Sequence, residues 1–134
     1  MKWYFVGDGK DTDYCQNLVE KMSLSQYVTF LGTQTNPYAF MKDCDIYIQP
    51  SRHEGFCITL AEALCFGNPI VATDFTGAEE QLVNRSNSIV TGFSAEDIAD
   101  GVETIIKSGC PKSNAPRKSL YNIQSISELL SNIA

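Results

Sequence analysis

Histidine occurs once in this chain, at His53, and no two cysteines stand in a Cys-x-x-Cys pair. A structural zinc site needs several nitrogen or sulfur ligands at short spacings, so these scarcities argue against one. Cys15, Cys44, Cys57, Cys65 and Cys110 are an odd number without the dense pattern of a secreted disulfide scaffold. Cys57 and Cys65 read as small core hydrophobes. No apolar run approaches the ~20 residues of a membrane span. The opening Met1-Lys2-Trp3-Tyr4-Phe5-Val6 reads as a short strand rather than a leader, which places the expectation in the cytoplasm. Basic residues are the minority, 10 Lys plus Arg against 16 Asp plus Glu, for a formal net charge of -6. Such a field disfavours nucleic acid or an acidic membrane as the main partner. No Gly-Lys-Ser or Gly-Lys-Thr follows a glycine-rich loop, which argues against a phosphate-loop hydrolase, and Gly7-Asp8-Gly9 lacks the third glycine of a dinucleotide fingerprint.

What the chain does have is 134 residues, of which 43% are hydrophobic. That suits one domain with a real core. Residues 2–6 predict a strand that Gly7-Asp8-Gly9 ends. Asp11 or Thr12 caps a helix reaching Met22, with Leu18, Val19 and Met22 inward. Tyr27 to Leu31 predicts a second strand, stopped by Gly32. Asn36-Pro37 opens a short helix. Ile46 to Ile48 is a third strand, followed by the loop Pro50 to Gly55 and a helix over 57–66. Ile70 to Thr73 is a fourth strand, Ala78 to Val83 a helical turn, and Ser88 to Val90 a last short strand. Ser94 caps a helix from Ala95 to about Ser108, with Ile98, Val102, Ile105 and Ile106 inward. Residues 109–119 read as a linker, and residues 123–133 as a final helix.

Alternating strands and helices predict an α/β fold, a parallel sheet with helices on both faces. The short apolar strands fit cover on both sides. Ligands in such sheets bind beyond the carboxyl ends of the strands. The loops at Gly7 to Gly9, Gly32 to Asn36, Pro50 to Gly55 and Asp74 to Gly77 all follow strands.

Two carboxylates stand out within Pro50 to Gly67. Glu54 falls in the turn before the helix, and Glu62 within a helix of Ile, Leu, Ala, Cys and Phe. A carboxylate among apolar neighbours is costly unless it is hydrogen-bonded or faces a ligand. Glu62 on a solvent stripe, or capping a backbone amide, is the plainer reading and stays open at this level. Gly55 has no side chain to block an approaching group. The amides near Cys57, Ile58 and Thr59 could hold a phosphate at the helix start, or Gly55 could serve turn geometry alone.

The ordered set of motifs resembles the carboxyl-terminal domain of the retaining, two-domain (GT-B) glycosyltransferases of the group-1 (GT4) family. Pro50, Ser51, Glu54, Gly55, Phe56, Glu62 and Ala63 carry the central motif, with the two Glu eight residues apart. Val6-Gly7-Asp8-Gly9, Phe30-Leu31-Gly32, Asn36-Pro37-Tyr38, Gly67 to Thr73, Gly77 and Glu80 match the flanks. Any one of these is weak; the order over residues 3–107 is specific. Cys57 departs from the family's usual glycine, and His53 stands where a Tyr is common.

The resemblance implies a Rossmann-like three-layer sandwich, one half of a GT-B fold. It implies residues 1–108 as a nucleotide-sugar-binding domain and 109–134 as linker and helix. Glu54 would contact the donor sugar in the catalytic centre. Gly55, Phe56, Cys57 and Ile58 would lie beside sugar and diphosphate. Glu62 would accept from the ribose hydroxyls. Leu31 and Gly32 would lie near the base, Gly7 and Gly9 in the first glycine turn, and Gly77 and Glu80 on the phosphate side. The implied reaction transfers a sugar from a UDP- or GDP-sugar, with retention and without a metal or other cofactor, to a hydroxyl of a glycan or lipid-linked acceptor. His53 is read as a loop residue. Family members carry an acceptor-binding domain and an Arg and Lys for the diphosphate, which Arg52, Lys42 and Lys10 do not match in position. The expectation is therefore an incomplete enzyme, inactive alone, that needs an amino-terminal domain or partner chain. The full enzyme is expected to be peripheral to the inner face of the membrane at most, and the chain to dimerise through an open sheet edge or through the tail helix. The alternatives are a non-catalytic nucleotide-sugar-binding or scaffold domain, and a related GT-B epimerase.

Overall fold

A computed structural model describes residues 1–109. The expected linker and final helix beyond Gly109 lie outside the described residues. The strands form two parallel sheets rather than the one expected, β1-β2 and β3-β4-β5. The chain divides into two compact units, Met1–Ala39 and the part from Phe40 onward.

In the first unit, β1 (Trp3–Phe5) pairs in parallel with β2 (Val28–Phe30), and α1 (Thr12–Lys21) connects them. Phe5 and Phe30, register partners, stack at 5.0 Å. The parallel pairing needs a crossover, which the amphipathic α1 provides. Leu18 and Met22 were expected inward but are exposed, and Tyr4 and Phe5 leave β1 largely uncovered. Spacing alone marks which side of a helix is apolar, not whether enough surface exists to cover it. The boundary between the units falls inside α2 (Pro37–Asp43).

The second unit holds the core. Its elements are β3 (Tyr47–Gln49), α3 (Ile58–Leu64), β4 (Ile70–Thr73), α4 (Ala78–Leu82), β5 (Ser88–Thr91) and α5 (Ala95–Lys107). β4 is the central strand, parallel to both neighbours, and all four of its residues are buried. Successive side chains point to opposite faces. Ile70 and Ala72 accordingly join the cluster of Cys57, Leu60, Ala63, Leu64, Phe75, Ala78 and Leu82. Val71 faces α5 on the other side, where Gly101 brings the helix close.

Sequence marks the ends of these elements well. Ser94 and Asp97 form a reciprocal capping box at the start of α5. Gly67 and Gly77 adopt positive φ, the conformation glycine reaches without strain. Cys57 and Cys65 are core residues as expected. Ile106 was expected inward and is exposed, whereas Val102, Ile105 and Gly101 are buried. The sheet covers a narrower stripe of α5 than its apolar residues span.

Candidate active site

The β3–α3 loop carries most of the candidate residues. Thr73, buried at the end of β4, anchors it by donating its hydroxyl to the carbonyls of Gln49 and Ser51. Glu54 is half-buried, and its Oε1 accepts from Ser51 Oγ at 2.7 Å. Ser51 Oγ accepts in turn from Gln49 Nε2 at 2.8 Å. Gln49 Oε1 accepts from Tyr47 Oη at 2.7 Å and from Thr59 Oγ1 at 3.2 Å. Cys57 Sγ lies 3.4 Å from Thr59 Oγ1.

Burial pushes the Tyr47 phenol up to about 12, with nearby Cys57, Glu62 and Cys44 adding to it against the Thr59 hydroxyl. Tyr47 is therefore a neutral donor across the physiological range. Burial also raises the Cys57 thiol, with the Glu54 carboxylate adding to it. A thiol raised this way is a poor nucleophile. Glu62 is half-buried on α3 between buried Ala61 and Ala63, and its charge reaches the Tyr47 phenol. Its half-burial sets Glu62 apart from a fully exposed helix position.

Gly55 and Phe56 are exposed at the loop tip, Cys57 is buried as the residue before α3, and Ile58 opens the helix half-buried. A side chain at Gly55 would meet open space, so the fold itself does not require glycine there. The first amides of α3 have no partner within the helix by geometry. His53 and Arg52 are exposed loop residues.

Gly77 and Glu80 belong to the segment after β4. An open depression of about 310 Å³ is lined there by Asp74, Phe75, Thr76, Gly77, Glu79 and Glu80. Its three carboxylates accept hydrogen bonds and repel anions. Parallel register sets this segment beside the β3–α3 loop, since Gln49 pairs with Ala72.

In the first unit, Gly7, Gly9, Leu31 and Gly32 gather at the carboxyl ends of β1 and β2. The Gly7 amide donates to the Gly32 carbonyl at 2.8 Å, and the Leu31 amide to the Phe5 carbonyl at 2.8 Å. The Gly9 amide is already engaged, by Asp8 Oδ1 at 2.8 Å and Thr12 Oγ1 at 3.1 Å. The Thr12 hydroxyl and then the Gly9 amide hold the Asp8 carboxyl below its ordinary range. Gln34 Nε2 donates to the Leu31 carbonyl at 2.6 Å.

The model of the family "Glycosyl transferases group 1" matches residues 1–122. The chain belongs to this family. Among curated relatives, an uncharacterized glycosyltransferase of Methanocaldococcus jannaschii is 36% identical over 87 residues, 64% of this chain and 21% of the relative. N-acetylgalactosamine-N,N'-diacetylbacillosaminyl-diphospho-undecaprenol 4-alpha-N-acetylgalactosaminyltransferase of Campylobacter jejuni is 33% identical over 109 residues, 80% of this chain and 30% of the relative. Among solved structures, Anabaena HepE in complex with UDP and glucose superposes with a TM-score of 0.77 at 27% identity, over 98% of this chain and 40% of that one. The match assigns the α/β fold to the Rossmann-like half of a GT-B enzyme. The chain spans about a fifth to a third of the length of the curated relatives most similar to it, such as 21% of the M. jannaschii protein and 30% of the C. jejuni enzyme.

Glu54, Glu62 and Gly55 stood out from residue type and spacing, and the other glycines became candidates through the family resemblance. Tyr47, Gln49 and Thr59 did neither. The available signal was a Gln ending an otherwise apolar strand, where an amide needs partners. Among the described residues no cluster of three His, Cys, Asp or Glu could hold a metal ion, and no helix is long and apolar enough to cross a membrane.

Proposed function

We propose that this chain binds the donor of a glycosyl transfer, a nucleoside-diphosphate sugar with UDP as the carrier, and that the whole enzyme passes the sugar to a hydroxyl of a glycan or lipid-linked acceptor. The observation that carries this reading is the pair Glu54 and Glu62, both half-buried on one strand-loop-helix unit, with Glu54 held by the Ser51 hydroxyl. The UDP complex of HepE, 27% identical across 98% of this chain, supports the carrier. Glu62 accepts from the two ribose hydroxyls, a charge-assisted pair stronger than neutral hydrogen bonds. Glu54 accepts from hydroxyls of the transferring sugar. The carboxylates around Gly77 and Glu80 suit sugar hydroxyls better than a diphosphate, which leaves the phosphates to backbone amides at Gly55 to Ile58.

Departure of the nucleoside diphosphate develops negative charge on its oxygen, and fixed amide dipoles stabilise that charge without reorganising. The step is proposed to retain the anomeric configuration and to use no metal. An α-linkage in the name of the C. jejuni relative is consistent with retention from an α-linked donor. The two Glu do not act as the acid and nucleophile of a hydrolase, since Glu62 is committed to ribose. A further domain or partner chain presents the acceptor, at the cytoplasmic side of the membrane.

Calorimetric titration of the chain with UDP, GDP and ADP tests the reading. UDP should bind at about micromolar to low-millimolar strength. Glu62→Ala should weaken it by at least about tenfold, the loss of one or two hydrogen bonds to a charged group. No binding by any of the three, or equal binding by the variant, refutes it.

A further inference from the structure

The groups around Glu54 form a chain in which every proton is directed toward its carboxylate. The Tyr47 hydroxyl donates to Gln49 Oε1, Gln49 Nε2 donates to Ser51 Oγ, and the Ser51 hydroxyl donates to Glu54 Oε1, at 2.7, 2.8 and 2.7 Å. Thr59, on the first turn of α3, adds a second donor to Gln49 Oε1 at 3.2 Å. The path continues from Thr59 to Cys57 at 3.4 Å. The Cys57 thiol in turn lies close enough to the Glu54 carboxylate to be raised by it. The side chains of Gln49, Ser51, Glu54 and Thr59 thus form one hydrogen-bonded network at the base of the loop that presents Gly55 and Phe56. Thr73 holds the backbone of this network through the carbonyls of Gln49 and Ser51.

Hydrogen-bond accounting sets the roles. A serine hydroxyl has one proton, and Ser51 gives it to the carboxylate, so Ser51 must accept from Gln49. Gln49 uses its amide oxygen for Tyr47 and Thr59 and its nitrogen for Ser51. A carboxylate offers about four acceptor positions. Ser51 occupies one of them, and Oε2 belongs to the other half of the group.

We propose that Gln49 and Ser51 are positioning residues for the donor sugar: they hold Glu54 in one rotamer through Oε1 and leave Oε2 to accept from a sugar hydroxyl. This rests on the reading of Glu54 as the residue that meets the sugar. Without the network, Glu54 must be ordered when the sugar binds. Immobilising one long side chain corresponds to about a threefold to tenfold loss in affinity. That loss falls on the sugar alone, because UDP without a sugar does not reach Glu54.

The test compares UDP with UDP-glucose, UDP-galactose and UDP-N-acetylglucosamine by calorimetry on the whole chain, using the sugar that adds most affinity over UDP. Ser51→Ala and Gln49→Leu should each cut that added affinity about threefold to tenfold and leave UDP itself unchanged. Ser51→Thr, which keeps the hydroxyl, should retain it. In a Glu54→Gln background, Ser51→Ala should have no further effect. In nuclear magnetic resonance spectra the Gln49 side-chain amide protons should exchange slowly and lose that protection in Ser51→Ala. Unchanged sugar discrimination in both variants, with UDP still bound, overturns the proposal and leaves the donor reading standing. Equal losses for UDP and its sugar overturn it too, since that is what a merely structural role gives. Failure of the unaltered chain to bind either UDP or any of the sugars removes the donor reading first and this proposal with it.

Discussion

Gly101→Ala should destabilise the three-stranded unit, although the same change in an isolated helix would stabilise it. A Cβ built on Gly101 lies 2.7 Å from Thr91 Cγ2, 3.1 Å from Val71 Cγ1 and 3.8 Å from Ile89 Cγ2. Carbon atoms pack best at about 3.5 to 4.0 Å, so two of these contacts must open. Val71 is fully buried on the central strand and has nowhere to move. α5 must therefore lift, drawing the buried Val102 and Ile105 off the sheet. Overpacking of this kind costs about 1–3 kcal/mol, while exchanging Gly for Ala in a helix interior returns about 1 kcal/mol. The net loss should be roughly 1 kcal/mol, which lowers the melting temperature by about 4–8 °C in a small domain. Differential scanning calorimetry reads it directly. Thr91→Ser removes the methyl in the shortest contact, so the same Gly101→Ala change should cost less in that background. A rise in melting temperature for Gly101→Ala, or no coupling to Thr91→Ser, would refute the seating of α5 on β4 and β5.

Leu60 is fully buried in the cluster on the other face of the sheet, and Leu60→Ala should cost about 2–5 kcal/mol in chemical denaturation. Ser94→Ala removes the acceptor for the Asp97 amide and should cost about 1 kcal/mol by the same measurement. The Ser94 hydroxyl and amide hold the Asp97 carboxyl below its ordinary range. A carboxyl depressed in the folded state stabilises the fold above its unfolded pKa and loses that contribution as pH falls through the folded one. The melting temperature should thus decline on acidification below the ordinary aspartate range, and Asp97→Asn should blunt that decline; an identical acid profile in the variant would remove Asp97 from the account.

The strand-loop-helix runs from Tyr47 to Thr73 were legible because short apolar stretches are punctuated by glycine and proline, and such punctuation acts locally. The Ser94 cap was legible for the same reason. The covered width of a helix was not. Ile106 and Leu18 belong to apolar stripes as wide as those of buried helices, yet only tertiary area decides which residues of a stripe are covered. The use of Gly101, a close approach to Val71 and Thr91, exists only once the sheet is present. The division at Ala39 and Phe40 leaves no mark, since it falls inside a regular short helix. At the site, Glu62 stood out as a carboxylate among apolar neighbours, and Glu54 through its place in the motif Pro50 to Ala63. The Thr59 to Gln49 link joins a helix to a strand ten residues apart and depends on how the intervening loop closes. Nothing in residue type or spacing conveys that closure.

The donor site itself is tested most directly by following backbone amide resonances of the whole chain during titration with UDP. The account predicts saturable shifts at Gly55 to Thr59 and around Glu62, with smaller ones from Asp74 to Glu80, all reduced together by Glu62→Ala. No shifts at saturating UDP, or shifts confined to residues outside these loops, would contradict it.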